Sequence, residues 1–84
     1  MIKKLTRREE AKSSLIKILK KNQEKPLSET EDALDAAEIL IKNFGDDKEV
    51  LESVLVWSDV LMNNDFMSTY SKIRVIELQL KANH

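Results

Sequence analysis

Four carboxylates, Glu31, Asp32, Asp35 and Glu38, recur at spacings of three and four residues, so on a helix they share one face. Helical bundles use such a face to hold paired metal ions, but those centres complete their ligand set with Glu-x-x-His pairs. The chain's single histidine is His84, at its end, where a frayed tail is the expectation. The run Asp46-Asp47-Lys48-Glu49 lacks the alternating oxygen ligands and internal glycine of a calcium loop. One glycine cannot build a phosphate-cradling loop, and the absence of cysteine removes thiolate chemistry, thiolate metal sites and disulfides. General acid-base or nucleophilic catalysis has no candidate group, so no enzyme, no metal and no cofactor are expected.

Binding chemistry has more to draw on. Lys17, Lys20 and Lys21, flanked by Lys12 and Lys25, form a basic surface that could contact phosphates. No aromatic residue is interleaved with these lysines for base stacking. A helix-turn-helix built around Gly45 would open its recognition helix with Asp46-Asp47-Lys48-Glu49 and repel a phosphate backbone. Nucleic-acid binding through Lys17, Lys20 and Lys21 is therefore the alternative expectation. The charge is strongly uneven. Residues 1–25 carry nine basic and three acidic side chains, net +6; residues 26–65 carry two basic and eleven acidic, net −9; residues 66–84 are net +2.

The elements that must position these groups are marked by the chain's one proline, Pro26, its one glycine, Gly45, and the cluster Asn63-Asn64-Asp65. Between the breaks lie segments rich in Leu, Ile, Lys, Glu and Ala, all strong helix formers except Ile. Thr6-Arg7-Arg8-Glu9 has capping-box spacing and opens a helix over residues 7–22, with Ala11, Leu15, Ile18 and Leu19 on one face and the lysines behind. Ser28 and Glu31 form a second capping box for a helix over 29–44, with Ala33, Leu34, Ala37, Leu40, Ile41 and Phe44 inward; Gly45 is expected at its left-handed C-terminal cap.

Asp46 or Asp47 caps a third helix over 47–63, apolar around so much of its circumference that it should be central. Asp65 or Ser68 caps a fourth over 66–81, with Phe66, Tyr70, Ile73, Ile76 and Leu80 inward. Ile76, Leu78 and Leu80 alternate with Glu77, Gln79 and Lys81 as in a strand, but no second strand is available to pair with. Trp57 and Tyr70 are expected in the core. Short connections favour antiparallel neighbours, so the expected fold is all-α: one domain over 1–84, a small antiparallel bundle of four helices, frayed at 1–5 and 82–84. A chain this small buries only about 60% of its unfolded surface.

Arg7, Arg8, Glu9 and Glu10 stand where a signal peptide would be apolar, and no run approaches the roughly 18 apolar residues of a membrane span. A cytoplasmic protein is the expectation. More apolar positions are present than a four-helix monomer readily covers: Ile39 behind the second helix, Val56 and Val60 on the third, Val75 and Leu78 behind the fourth. They point to protein binding. Asp32, Asp35 and Ile39 are the expected partner surface, and Val75 with Leu78 the expected self-association seam of a homodimer.

From Arg7 to Lys81 the chain has an amphipathic helix, an acidic helix, a mostly apolar helix and a closing helix around Thr69-Tyr70-Ser71-Lys72-Ile73. In helix order and hydrophobic spacing it resembles the four-helix immunity proteins that protect bacteriocin producers. The resemblance implies an all-α bundle that binds another protein; it assigns no role to any single residue. The expected function is a non-enzymatic module that docks onto another protein, as a small inhibitor, immunity factor, antitoxin-like protein or phage-encoded antagonist does. A structural subunit of a larger helical assembly is a further alternative.

Overall fold

A computed structural model describes residues 6–83 of the protein. Four helices follow one another: α1 (Arg7–Glu24), α2 (Thr30–Phe44), α3 (Lys48–Met62) and α4 (Thr69–Ala82). Each of the outer helices, α1 and α4, packs against both α2 and α3, which also meet across the centre. The result is a small all-α four-helix bundle. The fraying expected at residues 1–5, and the tail at His84, lie outside the described residues. Ala82 is helical and buried, so the helix runs past residue 81 and Asn83 ends it.

The caps show how the local sequence sets each start. At α1 the capping box forms: Glu9 N donates to Thr6 Oγ1 at 3.1 Å, and the Glu9 carboxylate accepts from Thr6. At α3 it is Asp47 that caps, its Oδ1 accepting from Glu49 N at 2.9 Å and Val50 N at 3.3 Å. Ser68 caps α4 by accepting from Ser71 N, so α4 starts three residues later than expected.

The second capping box does not form. Ser28 N donates to the Lys25 carbonyl, and the Ser28 carbonyl accepts from Asn22 Nδ2 at 2.9 Å. These bonds spend Ser28 on a turn against the end of α1, and Glu29 enters α2 in the left-handed conformation, φ 57°, with no side-chain cap. Gly45 also departs from expectation, with φ −61° and ψ −17°. Its value is space: a Cβ there would lie 2.9 Å from the Ile41 carbonyl oxygen.

The core is Leu34, Leu40, Val50, Val54, Trp57 and Leu61 of α2 and α3, closed on one side by Ile16 and Leu19 of α1 and on the other by Val75 and Leu78 of α4. The α2 and α3 faces match their hydrophobic spacing. In α1 the buried face is rotated: Ile16, Leu19 and Asn22 are inside, Leu15 is half-buried, and Ala11 and Ile18 are exposed. Asn22 decides that rotation. Its Oδ1 accepts from the buried Trp57 Nε1 at 2.8 Å while its Nδ2 holds the 25–29 turn, so one side chain ties α1 and the loop to α3.

Candidate functional site

The face that α4 turns to the core is Val75, Leu78 and Ala82. Phe66, Tyr70, Ile73, Ile76 and Leu80, expected inward, are instead exposed by 84, 66, 61, 41 and 69%. Two apolar stripes compete on this helix, and polar contacts select between them. Arg74 Nη2 reaches α2, 2.9 Å from Glu38 Oε2 and 3.6 Å from Asp35 Oδ1. On the other flank of the buried seam, Gln79 Nε2 donates to Ser58 Oγ at 3.1 Å and Asp59 Oδ1 at 2.8 Å on α3. Arg74 and Gln79 thus make their contacts to different helices only in the rotation that buries Val75, Leu78 and Ala82 and leaves the larger side chains outside. Met67 takes the inward place in the preceding turn, where Asn64 Oδ1 accepts from Phe66 N at 2.9 Å and Phe66 projects outward.

The outer face of α4 and the turn before it therefore carry a stripe of five large apolar side chains. At these exposures, and with roughly 150–200 Å² for each whole side chain, the stripe amounts to about 500 Å². Apolar patches on monomeric proteins are rarely larger than this and are often functional. The hydrophobic spacing alone pointed to these residues but assigned them to the core.

The other expected sites fall as follows. Val75 and Leu78 are core residues and cannot form a self-association seam. Asp32, Asp35 and Ile39 are exposed on α2, but Asp35 and Glu38 face Arg74, so part of the acidic helix serves to seat α4. Lys17, Lys20 and Lys21 are exposed on α1; Lys21 lies 3.9 Å from Glu29. Lys20 borders an open groove of about 860 Å³ between α1 and α3, whose apolar part is Val56, Val60 and Leu19 and whose rim includes Glu24, Glu49 and Glu52.

At the opposite end of α1, Lys12 Nζ lies 3.0 Å from both Asp47 Oδ2 and Glu49 Oε1. The hydrogen bond from Lys12 holds the Asp47 carboxyl below its ordinary value, helped by the Val50 amide, and the two carboxylates raise Lys12. Among the described residues no group of three or more acidic or histidine side chains converges on a metal position, and no helix is long and apolar enough to cross a membrane. No protein-family model, curated protein or solved structure matches the chain.

Proposed function

We propose that the chain is a non-enzymatic binding module that acts in the cytoplasm by docking a helical face onto another protein chain, as small inhibitors, immunity factors and antitoxin-like proteins do. The observation that carries this reading is the outer face of α4, where Tyr70, Ile73, Ile76 and Leu80 stand out from a helix whose flanks contact α2 and α3, with Phe66 added by the turn before it. Burying such a stripe against a partner gains about 25 cal/mol per Å² of apolar area, a driving force that isolated surface leucines lack.

The basic face of α1 supports nucleic-acid binding less well. A phosphate approaching Lys20 or Lys21 would also meet Glu24, Glu29, Glu49 or Glu52 nearby.

The test is capture from native lysate on immobilised, tagged full-length chain, washed with nuclease and then with salt. Protein released only after the nuclease step, and lost with Ile73→Glu, is the expected result. Retention of nucleic acid alone, abolished by charge reversal of Lys17, Lys20 and Lys21, would overturn the reading.

A further inference from the structure

We propose that a second copy of this chain covers the outer face of α4, the two α4 helices lying parallel and in register about a two-fold axis. The proposal rests on the docking reading above and names its partner. Ile73 and Leu80 are seven residues apart, with Ile76 at the position between them and Thr69 at the corresponding position one heptad earlier, so the exposed stripe has the heptad spacing of a two-stranded seam. Phe66 extends the stripe by one further heptad from the turn before the helix, and Tyr70 borders it.

The charges beside this stripe fit a second copy. In heptad terms Lys72 occupies a g position and Glu77 an e position five residues later. A parallel partner places the g residue of one helix against the e residue of the next heptad on the other, so each Lys72 meets Glu77 of the second copy, twice by symmetry. An antiparallel arrangement loses this match, because it sets g beside g and e beside e.

Area and shape agree with the pairing. Two stripes of about 500 Å² bury roughly 1,000 Å², the lower bound for a specific interface, so a concentration-dependent dimer is expected. Val75, Leu78 and Ala82 are buried on the far side of α4. This places the rest of each bundle on the side of α4 away from the seam.

Sedimentation equilibrium of the full chain over a range of concentrations tests the proposal. It should report a species of twice the 9.7 kDa chain mass. Ile73→Glu, at an exposed position where the monomer keeps its helical circular dichroism, should weaken association about 100-fold or more, because symmetry buries two carboxylates. Val56→Glu, in the α1–α3 groove, should leave association unchanged. Lys72→Glu or Glu77→Lys alone should weaken it about tenfold, and the two together should return it to within about threefold.

A monomer at every concentration would overturn the pairing. So would a dimer indifferent to Ile73→Glu, or a charge swap that fails to restore it. If the chain is monomeric and Ile73→Glu still abolishes protein capture, the docking reading survives without the self-pairing; if capture also persists, both fall.

Discussion

Asn22 is the residue on which the α1 end of the bundle turns. It is a polar side chain buried between α1 and α3, satisfied by the Trp57 indole on one side and the Ser28 carbonyl on the other. Buried groups deprived of their partners cost the full desolvation penalty. Asn22→Leu should therefore lower unfolding stability by about 2–4 kcal/mol in urea titrations, although Leu is the better helix former. A second residue-scale prediction concerns pH. The folded Asp47 carboxyl lies below its ordinary 3.8, so its contribution is present above that value and is lost as pH falls through the lowered one. Lys12 lies above its ordinary 10.5, so its contribution is present below 10.5 and is lost as pH rises through the raised value. The drop in thermal midpoint caused by Lys12→Met should be constant between about pH 5 and 9 and shrink toward both extremes. A deficit independent of pH would show that Lys12 acts through its aliphatic stem alone.

At the scale of the element, α4 is the informative case because it carries two apolar stripes and buries the smaller-sided one. Truncating the buried stripe should hurt: Leu78→Ala is expected to cost about 2–5 kcal/mol in denaturant unfolding. On the exposed stripe, Ile73→Ala and Leu80→Ala should change the stability of the monomer by less than about 0.5 kcal/mol. If Leu78→Ala were near neutral and Ile73→Ala and Leu80→Ala costly, the rotation of α4 described above would be wrong. The same helix shows where sequence reading succeeds and fails. The existence, order and approximate ends of all four helices follow from Pro26, Gly45, the Asn63–Asp65 break and the spacing of leucines, and the buried faces of α2 and α3 follow from period alone. The faces of α1 and α4 do not, because they are set across the bundle: Asn22 by Trp57, Arg74 by Asp35 and Glu38, and Gln79 by Ser58 and Asp59. Each of these pairs is twenty or more residues apart, beyond any helical period. The exposure of the outer α4 stripe was hidden for the same reason. The missing box at Ser28 has a local cause, since the Ser28 N–H that the Glu31 side chain would accept donates instead to the Lys25 carbonyl.

For the whole molecule, part of the uneven charge along the chain is matched across helices. The basic α1 meets the acidic start of α3 through Lys12, and the acidic α2 meets α4 through Arg74. The most exposed run of large apolar side chains the bundle leaves lies along α4 and the turn before it, which is why recognition of another chain is the function proposed for it. If the α4 stripe pairs with a second copy, folding and association are linked, and the thermal midpoint should rise with protein concentration; Ile73→Glu should make it independent of concentration. The most direct measurement of the central claim is a dilution series of backbone amide spectra on the uniformly ¹⁵N-labelled full chain. The shifts that change with concentration should cluster at Phe66, Tyr70, Ile73, Ile76, Glu77 and Leu80. Changes centred on Val56 and Val60, or on Lys17, Lys20 and Lys21, or spectra unchanged across the series, would contradict a second copy seated on the outer face of α4.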